Sequence, residues 1–160
     1  MENSSQSDNL ANQIGKRKPF ASLQQETFLN LCRTFTCLHR QFAKLFDEHG
    51  LSDPQYNVLR ILQGVGRPLQ IYQIAEYMIT PQTDISRLVE RMTRAKLVSR
   101  ERCEEDRRVV WIGLAPRGVA VLKELAAPVD RLHRAQFTDL NDKELSRLNE
   151  LLFRARQPCE

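Results

Sequence analysis

The stretch from Pro68 to Leu114 constrains the fold more than any other part of the chain. It opens with two short apolar periodicities, Ile71, Ile74, Ala75 and Met78, then Ile85, Leu88, Val89 and Met92. Each has the three- and four-residue spacing that places side chains on one face of a helix. Between them stand Thr80, a residue able to cap, and Pro81, which suits a first helical turn, so the second helix is expected to start at this pair. Two short helices around a tight break have helix-turn-helix spacing, here over about 70–95. "LVSRER" and "RVVWIGL" follow, and their composition predicts two strands joined by "CEEDR", a hairpin over about 97–114. A helix-turn-helix followed directly by a hairpin is a winged helix.

The outward side of the second helix then acquires a chemical meaning. It carries Gln82, Thr83, Asp84, Ser86, Arg87, Glu90, Arg91 and Arg94, a mixture that can donate to bases and phosphates. Alone, such a face is read more simply as solvated. With a hairpin behind it, Gln82, Thr83, Ser86 and Arg87 are expected at major-groove bases and Arg91 at a phosphate or flank. Arg107 and Arg108 at the hairpin tip are placed to reach an adjacent minor groove, whose negative potential favours arginine. Asp106 is expected to accept from the Arg108 guanidinium and from loop amides, orienting the wing before binding. Asp84 is expected to favour the helix dipole or pair with a basic neighbour, ahead of accepting from cytosine. From Gln82 to Arg108 there are eight Lys and Arg against six Asp and Glu, so affinity must come from where the arginines sit.

The flanking segments exceed what a winged helix needs. Residues 1–18 are polar, end in Lys16, Arg17 and Lys18, and are expected to form a flexible basic-ended arm; a single domain is expected over 19–157. Phe28, Leu31, Phe35, Leu38, Phe42 and Leu45 alternate spacings of three and four, the seam of a long helix stopping near Gly50. Ser52 or Asp53 caps the next helix, Pro54 lies in its first turn, and it ends near Gly64 and Gly66. Near the C-terminus, Leu122, Leu125, Val129 and Leu132 mark a helix that Pro128 should kink or make irregular. Asn141 and Glu144 then form a capping box ahead of Leu145, Leu148, Leu151 and Leu152. The fold class is therefore mainly α with a small β-hairpin wing, a winged helix-turn-helix with N- and C-terminal dimerisation helices. A subunit interface is the natural place for the surplus apolar surface.

Several function classes lose support. No apolar run approaches the ~20 residues of a membrane span, and the polar start is unlike a secretion signal, so a cytoplasmic protein without a membrane partner is expected. The cysteines at 32, 37, 103 and 159 lack the close pairs of a zinc site, and neither metal nor cofactor is expected. Histidines 39, 49 and 133 are scattered and no phosphate loop or nucleophile motif occurs, so no catalytic residues are assigned and no enzyme is expected. A net charge of +4 permits an anionic partner without establishing one.

Taken together, "LHRQFAKLFDEHGLSDPQYNVLRIL", "TPQTDISRLVERM", "DRRVVWIGLAPRG" and "LNDKELSRLNELL" resemble the MarR-type winged-helix transcriptional regulators, most specifically through the wing residues Asp106 and Arg108. The resemblance implies a homodimer whose first helix and last two helices form the interface, bound to double-stranded DNA at a pseudo-palindromic operator. It also implies repression relieved by a small molecule, often a phenolic or other aromatic acid, or in some members by cysteine oxidation. His39, Arg40, Phe42, Phe46 and Tyr56 are candidate linings of a ligand cavity, since they combine aromatic bodies with polar tips, although each is more simply a core or interface residue.

Two other readings stay open: a cysteine-based redox-sensing regulator, and a winged-helix protein-interaction module without DNA binding. Against the first, Cys32 and Cys37 are expected to be buried and inert, and Cys103 stands between opposing charges. Against the second stands the Asp106 and Arg108 arrangement. The chain also departs from the family pattern by placing Lys96 where a glycine often ends the recognition helix, so that helix is expected to terminate differently.

Overall fold

Short polar residues stand at most of the helix starts in the computed structural model, which describes residues 9–106 and 108–159. The chain divides into two units, Met1–Lys44 and Leu45–Glu160. In the first, α1 (Leu10–Gln13) is one helical turn capped by Asn9, whose Oδ1 accepts from the Asn12 amide at 3.0 Å. It falls within the stretch expected to be a flexible arm, and the local cap, which satisfies an otherwise orphaned amide, is its physical cause. Helix α2 (Leu23–Asp47) starts where Ser22 Oγ accepts from the Gln25 amide and Gln25 Oε1 accepts from the Ala21 amide. It continues across the boundary between the units and stops before Gly50.

The second unit holds the winged helix. Helix α3 (Asp53–Val65) begins after Ser52, whose amide donates to Gln55 Oε1 at 2.9 Å, and ends on Gly66 at φ 71°, where glycine carries no Cβ penalty. Helices α4 (Ile71–Tyr77) and α5 (Ile85–Arg94) form the helix-turn-helix. Strands β1 (Val98–Arg102) and β2 (Val110–Leu114) pair antiparallel, with Val98 opposite Leu114 and Arg102 opposite Val110. Leu69 adds a single-residue third strand: its amide donates to the Ile112 carbonyl at 2.9 Å and the Ile112 amide donates back at 2.8 Å. These bonds fasten the start of the helix-turn-helix to the wing.

Helix α3 is the centre of this unit, packing against α4, α5, α6 and β2. Val58, Leu59, Leu69, Ile74, Val89, Met92, Ile112 and Leu125 are its most deeply buried side chains. Each contributes on the order of 1.5–3 kcal/mol of transfer free energy, so the relation of α5 to the wing is set by one shared core.

The remaining helices are α6 (Pro116–Gln136) and α7 (Asp142–Arg156), followed by a 3-10 turn, Gln157–Cys159. Pro116 occupies the first turn of α6, and Pro128 lies inside the same helix. Asn141 and Glu144 close the capping box of α7: Asn141 Oδ1 accepts from the Lys143 and Glu144 amides, and the Asn141 amide donates to Glu144 Oε2 at 2.9 Å.

Two joints with α5 depart from expectation. The helix starts after Asp84, not at Thr80 and Pro81, so Gln82 and Thr83 lie in the turn that precedes it. Its far end does not avoid the left-handed conformation: Lys96 adopts φ 59°. The Lys96 amide donates to the Thr93 carbonyl and the Leu97 amide to the Met92 carbonyl, both at 2.9 Å, the pairing of a Schellman end. Lysine costs about 1 kcal/mol more than glycine there. Burial of Met92 and Leu97, which the same turn brings inward, offsets that strain.

Candidate nucleic-acid interface

The turn entering α5 is held from three sides. Met78 is buried, the Ile79 amide donates to Asn57 Oδ1 on α3 at 3.0 Å, and Gln82 Nε2 donates to the carbonyls of Thr80 and Pro81 at 3.2 and 3.3 Å. Gln82, expected at a base, is thus half-buried with its amide nitrogen engaged in the turn. It reaches a base with that nitrogen only after leaving these carbonyls.

Asp84 then does two things at once. Its Oδ1 accepts from the Arg87 amide at 3.0 Å as the N-cap, while its Oδ2 stands 3.0 Å from Arg87 Nε. The cap explains why the helix starts here: Asp84 satisfies an orphaned amide and places negative charge at the positive end of the dipole. The ion pair is exposed and adds little stability, but it engages Arg87 through Nε, leaving the paired terminal nitrogens for a planar acceptor. Thr83, Ser86, Arg87, Glu90, Arg91 and Arg94 are exposed, opposite the buried Leu88, Val89 and Met92. This is a polar face on a rigidly seated helix.

In the wing, Asp106 Oδ1 accepts from the Arg108 backbone amide at 2.9 Å, and the Val109 amide donates to the Asp106 carbonyl at 2.9 Å. The carboxylate therefore accepts from a loop amide, as expected, whereas the bond to the Arg108 guanidinium that was also expected is not made; an aspartate two residues upstream reaches that amide as an Asx turn. Arg108 is exposed, while Arg107 lies outside the described residues. Two arginines that the sequence reading did not single out, Arg100 and Arg102, are exposed on β1, two residues apart and so on one face of the strand. The alternation in "LVSRER" was the available signal.

The end of α5 is tied to the start of α6. Arg117 Nη1 donates to the Ala95 carbonyl at 2.9 Å, and the Ala115 amide donates to the Leu97 carbonyl at 3.2 Å. A cation at a helix C-terminus also complements its dipole.

The candidate ligand residues divide between the units. In the second, buried Phe46 stacks on Tyr56 with ring centroids 4.2 Å apart. Burial pushes the Tyr56 phenol above its ordinary value of 10.0, with Arg60 pulling the other way, so the hydroxyl remains a donor at neutral pH. In the first, half-buried His39 stacks on Phe35 at 5.0 Å, Phe42 is half-buried and Arg40 is exposed. Cys32 and Cys37 correct the expectation of buried thiols: both are exposed, because α2 buries only Phe46 among its residues within one chain. Cys103 is half-buried. Among the described residues no cluster of His, Cys, Asp or Glu could hold a metal ion, and no helix is long and apolar enough to cross a membrane.

Against known proteins, a family model described as the MarR family matches residues 49–109, from the end of α2 to the wing. The HTH-type transcriptional regulator MgrA of Staphylococcus aureus is 28% identical over 82% of this chain and 88% of its own length. The solved structure of Bordetella bronchiseptica BpsR, described with the regulation of its DNA binding by 6-hydroxynicotinic acid, shares the fold at TM-score 0.75 and 21% identity, covering 88% of this chain and 99% of that one. A MarR transcription factor from Planctomyces limnophilus is 37% identical and superimposes at TM-score 0.65, covering 84% of this chain and 98% of its own. With that identity over nearly all of a relative, and with the winged helix and its aspartate-anchored wing in place, the chain belongs to the MarR family of transcriptional regulators.

Proposed function

We propose that the chain is a sequence-specific repressor that binds, as a homodimer, an operator of two inverted half-sites and leaves it when a small aromatic acid binds. The observation that carries the DNA-reading part is the start of α5, where Asp84 caps the helix and engages Arg87 at its exposed N-terminal end. Thr83, Ser86 and Arg87 approach major-groove bases, with Gln82 joining once its amide leaves the turn. Arg91 meets a phosphate or flank. Arg107 and Arg108 enter the neighbouring minor groove from a wing that Asp106 orients through the Arg108 backbone. Such a protein acts in the cytoplasm.

Arg87→Ala tests this reading. If Arg87 makes a bidentate contact to guanine, the change costs about 1–3 kcal/mol on the cognate site and much less on a scrambled duplex at the same salt. Equal loss on both would assign Arg87 to the backbone.

Homodimerisation is supported by apolar side chains that one chain leaves uncovered: Phe28 is 64% exposed and Phe35 61% on α2, and Phe153 is 53% exposed on α7. The aromatic-acid signal is supported by the description of BpsR and by the Phe46 and Tyr56 stack; His39, Arg40 and Phe42 are the further candidates. A ligand releases DNA only by favouring a dimer whose recognition helices no longer match the half-sites, through a differential affinity of a few kcal/mol. Calorimetry with 6-hydroxynicotinate and salicylate, paired with operator binding, checks this part. Acids that bind yet leave operator affinity unchanged would sink it.

A further inference from the structure

Ile79 is 87% exposed, more than any other large apolar side chain among the described residues. An exposed isoleucine on a loose loop would need no explanation. This one is not loose. Its amide donates to Asn57 Oδ1, on a helix 22 residues away in sequence, at 3.0 Å. The residue before it, Met78, is buried, and the two carbonyls after it are bound by Gln82. The fold thus fixes the backbone so that Met78 turns inward and Ile79 outward. The branched side chain is itself stiff at χ1, so it loses little freedom on contact.

The position sits in the turn of the helix-turn-helix, ahead of the N-cap Asp84. Its exposed neighbours Thr80, Thr83 and Asp84 offer it no apolar cover. A rigidly presented apolar group at the mouth of a major-groove reader has one apolar counterpart in B-DNA, the thymine 5-methyl group. We propose that Ile79 is a specificity-determining residue that packs on a thymine methyl in each half-site, and that Asn57 is the positioning residue that holds the turn presenting it. The inference rests on the DNA-reading function above.

The full-length chain is first used to select binding sites from random 30-base-pair duplexes. Each thymine of the selected half-site is then replaced in turn by uracil, which removes the methyl and nothing else, and affinity is read by fluorescence anisotropy at fixed salt. At one position uracil is expected to weaken the wild-type chain about fourfold per half-site, the effect of one buried methyl-sized group. Ile79→Ala is expected to lose about fourfold per half-site on the thymine duplex and nothing further on the uracil duplex. Asn57→Ala should shrink the uracil penalty, and Asn57→Asp, which keeps an acceptor oxygen, should retain it. Selection that yields no preferred sequence would refute the DNA-reading function itself. A selected site whose uracil penalties are the same at every thymine for wild type and Ile79→Ala would overturn the assignment of Ile79, and an unchanged penalty in Asn57→Ala would overturn that of Asn57.

Discussion

Gly118→Ala is expected to destabilise the chain by about 3 kcal/mol or more, the upper range of overpacking effects. A Cβ at Gly118 would stand 2.1 Å from the Leu97 carbonyl oxygen and 3.2 Å from Leu59 Cδ2. The first of these is backbone and cannot swing aside. The first turn of α6 lies flat against the turn that ends α5, and the Arg117 and Ala115 bonds to Ala95 and Leu97 hold it there. In an open helix the same replacement stabilises by about 1 kcal/mol, so the sign of the effect is itself diagnostic. Urea denaturation gives the free energy, and the melting temperature should fall by about 10 °C for a chain of this size. Unchanged or increased stability would mean that α6 is not seated on Leu97. The variant should also bind DNA poorly where it remains folded, because relief of the clash displaces the end of the recognition helix.

Leu151→Glu is expected to dissociate the proposed homodimer and, with it, to abolish the proposed tight binding to an operator. Helix α7 has no fully buried residue within one chain: Leu145, Leu148 and Leu152 are half-buried, and Leu151 and Phe153 are exposed. A helix with such an apolar seam is stable only when another surface covers it. In a two-fold interface each substitution occurs twice, so a loss of about 2 kcal/mol per copy weakens dimerisation about a thousandfold. Sedimentation equilibrium measures this directly. A variant that stays dimeric at the wild-type dissociation constant would exclude α7 from the interface.

The winged helix was legible in the sequence because its elements obey simple periods. Ile71, Ile74, Ile85, Leu88 and Val89 are spaced for helices, and "RVVWIGL" is rich in strand-forming residues. The start of α5 was not, since Thr80 and Asp84 are both good caps and the sequence does not say which one Arg87 will meet. Leu69 escaped because a single residue pair has no period, and Gly118 because its role depends on how α6 docks on Leu97. Lys96 shows a different limit: a local preference for glycine yields when burial of Leu97 favours the same turn. Cys32 and Cys37 were misjudged because free cysteine is among the most buried residue types, whereas α2 buries only Phe46 within one chain.

The candidate site divides in the same way. Thr83, Ser86, Arg87 and Arg91 could be named from helix spacing, and the structure exposes all of them. The hold of Asp106 on a loop amide was legible too, because an aspartate at a turn commonly bonds an amide two residues on, but the folding back of Gln82 and the support of Ile79 by Asn57 depend on backbone geometry that composition does not encode.

As proposed above, two copies of this chain read one duplex through paired recognition helices. Sedimentation velocity of the chain with its selected 30-base-pair duplex, at a concentration that saturates binding, tests it most directly. Two chains per duplex are expected, on two inverted half-sites whose centres lie about one helical turn, ~34 Å, apart. One chain per duplex on a single half-site, or equal affinity for a scrambled duplex at the same salt, would contradict it.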